Sequence, residues 1–415
     1  MQIKNIKVTN FKSFDELNLD LGRFNVLIGA NASGKSNFLS IFSFLKDICE
    51  NDLEDAISLQ GGVSFIKNIN IGRTKNLSIE ILFDSSGDKI RILKKEKEIS
   101  IQPSEWFYKF CIEFLGGKRY KVVKEHLEVN FDFLDSSNGE KAEKEKKKSG
   151  KFTFDRDNDK YNNVLDAEGI SLMVEDVVPS AFSRKRFLNK ELSIEFPISL
   201  FHLLLRNYCK QISLYDFDPK LSKEAISITG KTELESDGNN LAVVLKNIVD
   251  EKQKNEKFHD LIKDLLPYID EIKVPKLADK YLLTSLKEVF SEKKFFAPLI
   301  SDGTINVTAL IIALYFEKKP VIMIEEPERN IHPYLISKLI NMMKDVSENM
   351  KRQIVVTTHN PEVVRHVNEE NISLIRRDDV GFSQIICPVE QEEVKTFLKN
   401  DMGMDELYVQ NLLEW

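Results

Sequence analysis

The chain of 415 residues has little of what would mark it as secreted, membrane-bound, fibrous or disordered. Its four cysteines, Cys49, Cys111, Cys209 and Cys387, form no CxxC pair, which argues against a zinc hook, a thioredoxin-type redox pair and a secreted disulfide framework. A reducing cytosol suits them. Glycine and proline number 17 and 12, too few for a collagenous or generally disordered chain. The longest apolar run, Ala309 to Phe316, is eight residues where a membrane span needs about twenty, so a buried helix is expected there. Met1 to Phe14 lacks the apolar core of a secretory signal. No heptad pattern lasts long enough for a coiled-coil rod, and no internal repeat is present. With 59 Lys+Arg against 66 Asp+Glu the net charge is −7, which argues against a wholly basic nucleic-acid coat and leaves a local basic face open. A cytoplasmic protein without a membrane partner is expected, in about two to three domains.

What is present is periodicity. Ile3 to Val8 and Leu17 to Leu21 alternate apolar and polar side chains, and Phe24 to Ile28 is an apolar run ending at Gly29, so three strands are predicted. Beyond Ser36 the spacing of Phe38, Leu39, Ile41, Phe42 and Leu45 gives a helix with one apolar face. Further strands are predicted at Leu77 to Phe83, Ile90 to Leu93, Phe107 to Phe114, Tyr120 to Val123 and Leu127 to Phe133. Residues 135–151 have no large apolar side chains and read as an exposed charged loop whose lysines could touch phosphates, a solvated loop being the plainer alternative. Leu200 to Leu266 has mostly helical spacing. The last third alternates again, with strands at Val321 to Ile324 and Ile354 to Thr357 around a helix from Pro333, as in a parallel sheet covered by helices.

Gly29 to Ser36 reads GANASGKS and fits GxxxxGK[ST], placed after an apolar strand and before an amphipathic helix. Glycines there let backbone N–H groups close around phosphates, the helix amino terminus adds its dipole, Lys35 adds charge, and the Ser36 hydroxyl can bind a divalent cation. The strand Val321 to Ile324 delivers Glu325 and Glu326 to its carboxyl end, where ligands sit on parallel sheets. Alternation aims the two acids differently, so Glu325 is assigned to the metal and Glu326 to the attacking water. Their distance of 291 residues from Lys35 means that remote parts of the chain complete one sheet. Ser301-Asp302-Gly303-Thr304 introduces an apolar helix; by itself it is an N-cap, but its amides could face an anion. His359 closes the strand Ile354 to Thr358; alone it would be structural, and its place at a strand end makes it a candidate for bonding a terminal phosphate.

Taken together, these segments resemble the ABC-type ATPases of the SMC and RecF kind. Among these, the chain is similar to the compact AAA-family ATPases related to the overcoming-lysogenization-defect proteins. The resemblance covers nearly the whole chain. It rests on NFKSF at Asn10 to Phe14, GANASGKSN at Gly29 to Asn37, ESDGNNLAVVL at Glu235 to Leu245, SDGT at Ser301, IEEPERNIHP at Ile324 to Pro333 and TTHNPEVV at Thr357 to Val364. It implies an α/β fold: an ABC-type P-loop head with a mixed β-sheet, formed by residues 1–135 and 291–415, and an inserted, mainly helical lobe at 136–290. It implies ATP and Mg2+ as cofactors, with Asn31, Ala32, Ser33, Gly34, Lys35, Ser36 and Asn37 around the nucleotide. Ser301 and Gly303 would then be the signature that meets the γ-phosphate held by a second copy. Asn330, in the D-loop, would lie at the interface, and His359 would sense the γ-phosphate. Lys12 stands where relatives often carry an arginine near the phosphates.

The sequence also departs from the wider pattern. Glu325 replaces the usual aspartate, Asp302 replaces a glycine of the transporter signature, and the Q-loop glutamine has only Gln60 and Gln102 as candidates. The 56 residues after His359 are too few for the TOPRIM nuclease domain of many relatives, so any DNA cleavage is expected from a partner. The resemblance implies a Mg2+-dependent ATPase, with Glu326, His359 and Lys35 catalytic, working at the interface of a homodimer or higher oligomer. The leading expectation is a sensor or scaffold subunit of prokaryotic anti-phage defence with a separately encoded effector such as a nuclease. The alternatives are an ATP-dependent DNA clamp of repair or recombination, and a nucleotide-gated scaffold with negligible hydrolysis. Nucleic acid stays open as a partner.

Overall fold

The computed structural model describes residues 1–85, 89–94, 97–134, 148–167, 170, 172–181, 186–399, 402–410 and 412. They form two compact units whose segments interleave: Met1–Gly22, Asn37–Ile212 and Arg376–Ile385 in the first, Arg23–Ser36, Ser213–Ile375 and Ile386–Trp415 in the second.

The first unit is built on an antiparallel sheet in the order Phe14–Asp20, Gln2–Phe11, Leu77–Asp84, Lys97–Phe114, Tyr120–Leu134, Ser149–Asp157, Lys160–Asp166, with Ile90–Lys94 paired to Lys97–Phe114. Its inner face follows the two-residue period: Leu77, Ile79, Ile81 and Phe83 are buried while their neighbours are partly open. Helices Lys35–Glu50 and Leu200–Lys210 cover that face through aromatic contacts, Phe44 with Phe110 at 6.5 Å and Trp106 with Phe201 and Tyr208 at 5.9 and 5.2 Å. Asn10 explains the NFKSF string. Buried at φ +54°, it donates to the carbonyls of Gly72 and Lys75 at 3.2 and 2.6 Å and accepts from the Asn68 N–H at 3.0 Å, clamping that loop.

The expected boundaries differ from those observed. The stretch expected as one helical insert, 136–290, falls in both units, and its residues Ser149–Asp157 and Lys160–Asp166 are strands that lengthen the antiparallel sheet. Phe152 and Phe154, one period apart and fully buried, hold them there. Helices do occupy Leu200–Lys210, Leu241–Val249 and Lys252–Leu265. Of the charged run 135–151, residues 135–147 lie outside the described residues and Ser149 to Lys151 open a strand. Tyr120–Leu134 is one strand where two were expected. The register against Lys97–Phe114 shifts between Cys111 and Ile112, which pair with Lys124 and Val122, so Val123 is an extra residue that breaks the alternation.

The second unit carries the sheet Ile212–Tyr215, Val321–Glu325, Gln353–Thr358, Phe24–Ile28, Ile372–Arg377, in that order. The middle pairs are parallel: Val321–Glu325 with Gln353–Thr358, and Phe24–Ile28 with both Gln353–Thr358 and Ile372–Arg377. The largest sheet is thus antiparallel and the next has a parallel core, and two three-stranded sheets accompany them, in keeping with the expected α/β head. Helix Asp302–Tyr315 is buried from Thr304 to Leu314, the polar Thr304, Asn306 and Thr308 included. Helix Pro333–Asn349 packs Ile336, Leu339, Ile340 and Met343 into the same core. In the ESDGNNLAVVL segment Asn240 is buried, donating to the carbonyls of Lys231 and Glu233 and accepting from the Glu235 N–H, so it fastens the turn before helix Leu241–Val249.

Candidate functional site

Parallel pairing fixes the site. With Glu325 opposite Thr357 and Thr358 opposite Ile28, the carboxyl ends of three strands lie side by side, and the next residues of each, Gly29, Glu326 and His359, emerge at one edge of the sheet. The Gly29 N–H donates to the Thr358 carbonyl at 3.2 Å and that of Glu326 to the Thr357 carbonyl at 2.9 Å, so both turns are pinned to the central strand.

The loop after Gly29 needs its glycines. A β-carbon on Gly29 would stand 2.2 Å from the Ile375 carbonyl oxygen and 2.7 Å from the Ser33 hydroxyl. Gly34 has φ +119° and Ala32 +64°, left-handed conformations that turn the loop into helix Lys35–Glu50. Lys35 is buried, and its ammonium donates to the carbonyls of Gly29 and Ala30 at 2.8 and 3.0 Å. Burial lowers its pKa, while the charges of Glu326, Glu325 and Glu328 oppose the fall. Asn31, Ala32 and Ser36 are exposed; Ser33 and Gly34 are buried.

The two strand-end acids diverge as alternation requires. Glu325 Oε1 accepts from the Ser36 hydroxyl at 2.5 Å, joining the strand to the loop. Glu326 stands at φ +44°, a conformation that costs a non-glycine residue about 1–3 kcal/mol and turns its side chain away from that of Glu325. Its Oε1 lies 2.6 Å from His359 Nδ1, and its Oε2 accepts from Arg329 at 3.4 Å. Burial pushes the Glu326 carboxyl up, but the His359 hydrogen bond and the Arg329 charge outweigh it and leave its pKa below the usual value. Two hard oxygens facing each other on Ser36 and Glu325 suit a magnesium ion, which takes few protein ligands and completes its shell with phosphate and water. Among the described residues no three His, Cys, Asp or Glu side chains form a metal cage of their own.

Ser301, Gly303 and Asn330 form a second constellation in the same unit. Ser301 caps helix Asp302–Tyr315 by accepting from the Thr304 N–H at 3.2 Å, and Asp302 is bonded to Lys223. A β-carbon on Gly303 would meet the Asn330 carbonyl oxygen at 2.5 Å, and Asn330 itself has φ +62°. The Asn306 side-chain amide, one turn along the helix, donates to the Arg329 carbonyl at 2.7 Å.

Lys12 and Asn37 belong to the first unit, where they line a cavity of about 620 Å³ with Ser13, Gln60, Lys67 and Arg377. Asn37 donates to the Ser13 hydroxyl at 2.8 Å, and burial lowers the Lys12 pKa. Of the two Q-loop candidates, Gln60 lines this cavity and Gln102 lies inside the strand Lys97–Phe114.

Three residues had no role in the sequence reading. Glu328 is buried, accepts from the Thr358 hydroxyl, and has its pKa raised by burial. Arg329 bonds Glu326 and also Asp216, the latter at 2.9 Å. Glu328 and Arg329 sit within IEEPERNIHP, so proximity to the acids was their one signal; Asp216, 113 residues from Arg329, had none.

The profile of the family described as "AAA domain, putative AbiEii toxin, Type IV TA system" matches residues 24–365. The chain is 33% identical over 143 residues to the DNA replication and repair protein RecF of Clostridium acetobutylicum, covering 32% of this chain and 38% of that protein. It is 43% identical over 47 residues to Endonuclease GajA of Bacillus cereus, 11% of this chain and 8% of that one. The chain spans between 8% and 38% of the length of the curated relatives it matches. A crystal structure of an SmcHead bound to the C-winged helix domain of ScpA superposes with a TM-score of 0.50 at 14% identity, covering 93% of this chain and 98% of that one. The fold is that of an ABC-type P-loop ATPase head. No helix among the described residues is long and apolar enough to cross a membrane.

Proposed function

The chain belongs to this AAA-domain family, ATPases of the ABC, SMC and RecF type, and from that premise we propose that it binds ATP with Mg2+ and hydrolyses it between two copies of itself. The observation that carries this is the convergence of Lys35, Ser36, Glu325, Glu326 and His359 at the carboxyl ends of parallel strands, from segments up to 324 residues apart. The loop amides and Lys35 hold the phosphates. Ser36 and Glu325 hold the metal, which when bound neutralises charge on the phosphate oxygens. Glu326, kept ionised by His359 and Arg329, orients the attacking water, and His359, bonded to that carboxylate, would sense the γ-phosphate.

The dimer is supported by what the second constellation presents. Ser301 is exposed, and its hydroxyl and the helix amino terminus can receive an anion held by another copy. Loss of the γ-phosphate would then release that contact. The biological setting we propose is prokaryotic anti-phage defence, the chain acting as an ATPase sensor or scaffold with a separately encoded effector. The toxin–antitoxin wording of the family description and the endonuclease match support it. A second setting, a DNA clamp of repair or recombination, is favoured by the RecF match.

Mass measurement with and without ATP and Mg2+, beside phosphate release, tests the proposal. A nucleotide-dependent doubling of mass with turnover is expected; a chain that hydrolyses ATP while staying monomeric throughout overturns the shared site. Salt-sensitive DNA binding that needs ATP and no other protein would select the clamp over the defence setting.

A further inference from the structure

Arg329 joins three elements of the second unit. Its guanidinium donates to Asp216 Oδ1 at 2.9 Å and to Glu326 Oε2 at 3.4 Å, so the Asp216 bond is the shorter anchor and the Glu326 bond the looser one. Its backbone N–H donates to the Glu326 carbonyl at 2.9 Å, closing the turn, and its own carbonyl accepts from Asn306 on the helix that Ser301 caps. Asp216 directly follows the strand Ile212–Tyr215, the neighbour of Val321–Glu325 in the sheet, so the anchor is carried by a rigid element.

We infer that Arg329, anchored by Asp216, is a positioning residue for the Glu326 carboxylate and ties its placement to the helix of the SDGT turn. This rests on the reading of Glu326 as the group that orients water. The backbone of Glu326 fixes where its side chain leaves the turn but not its side-chain torsions, so the carboxylate is held in place by what bonds its two oxygens. His359 supplies one contact and Arg329 the other. A stabilising role explains the arrangement poorly: Arg329 is 40% and Asp216 57% exposed at the side chain, and such open pairs contribute little to folding. A fixed carboxylate matters far more to a reaction than to the fold, because a misplacement near 1 Å can cost about a hundredfold in rate.

The test is steady-state ATPase kinetics with thermal unfolding as the control. Arg329→Ala should lower kcat by about tenfold or more with KM and the unfolding midpoint nearly unchanged. Arg329→Lys, which keeps the charge and loses the fork that reaches both acids, should recover part of that loss. Asp216→Asn should lower kcat less, and the double variant Asp216→Asn/Arg329→Ala should be no slower than Arg329→Ala alone, because Asp216 acts through Arg329. Wild-type kcat in Arg329→Ala, losses that multiply in the double variant, or a kcat loss that tracks a fallen midpoint would each overturn the inference. Glu326→Gln measured alongside separates the two ideas. If it is inactive while Arg329→Ala is fully active, only the positioning role fails; if Glu326→Gln is itself fully active, the role of Glu326 fails first.

Discussion

The carbonyl oxygen of Asn330 stands 2.5 Å from the point a β-carbon would occupy on Gly303. The turn after the strand-end acids therefore rests directly on the backbone of the SDGT segment, and only glycine permits it. Gly303→Ala should push the 329–330 turn away, since the obstructing atom is backbone and cannot swing aside. We expect a stability loss of about 1–3 kcal/mol, the range for forced overpacking, and a fall in ATP turnover larger than that of Ser301→Ala. Chemical denaturation beside phosphate release measures both; a Gly303→Ala protein unchanged in each would show that the two turns do not depend on their contact.

Lys35 and Glu326 should separate binding from chemistry. Lys35→Ala removes the charge proposed to meet the phosphates and should abolish nucleotide binding. Glu326→Gln keeps the shape but not the charge, so it should bind ATP normally, turn over at least about a hundredfold more slowly, and accumulate as ATP-bound dimers. Equilibrium binding, turnover and mass read the three effects. ATP hydrolysis at the wild-type rate by Glu326→Gln would falsify its assignment.

The phosphate loop, the acid-bearing strand and the histidine-bearing strand were legible because each is a short apolar run that stops at a residue of special chemistry. Phe24 to Ile28 and Val321 to Glu325 have the bounds expected of them to within one residue. The hairpin Ser149–Asp157 with Lys160–Asp166 was not legible. Its buried apolar side chains are Phe152 and Phe154, both on one strand, and it adjoins the charged run, so local pattern gave no reason to attach it to a sheet. Asp216 escaped because a carboxylate anchoring an arginine 113 residues away leaves no periodic trace. Lys12 and Asn37 were expected beside the phosphates, and their place in the first unit follows from the chain crossing between units directly after Ser36.

Magnesium dependence should rest on Ser36 and Glu325. Their oxygens are hydrogen-bonded at 2.5 Å, and a cation held by both would take the place of that hydrogen bond. Glu325→Gln removes the only negative charge of that pair and should raise the magnesium concentration for half-maximal turnover by about tenfold or more, with smaller losses in Ser36→Ala. Chelation should stop hydrolysis in the unaltered protein. Magnesium titrations of turnover that coincide for Glu325→Gln and the unaltered protein would remove Glu325 from the metal site.

His202 should make the fold acid-sensitive. The ring is fully buried in the first unit, edge-on to Phe154 with centroids 4.8 Å apart, its Nδ1 bonded to the Ser199 hydroxyl at 2.8 Å and its Nε2 without a hydrogen-bond partner among the described residues. An imidazolium there would carry a buried N–H with no acceptor among the described residues, and burial lowers the pKa to about 3. The folded state then binds fewer protons than the unfolded chain below the ordinary histidine value of about 6.5. The stability from the neutral ring is complete above that value and is lost as the pH falls towards 3. Between pH 6.5 and 5 the loss is up to about 2 kcal/mol, at roughly 1.4 kcal/mol per unit. Urea unfolding of the unaltered protein and His202→Leu at pH 7 and pH 5 should show the gap between the two pH values shrink in the variant. Equal gaps would mean that the buried ring does not control the acid limb, and would turn attention to the other buried titrating groups of that unit, Glu125 first, whose pKa burial raises.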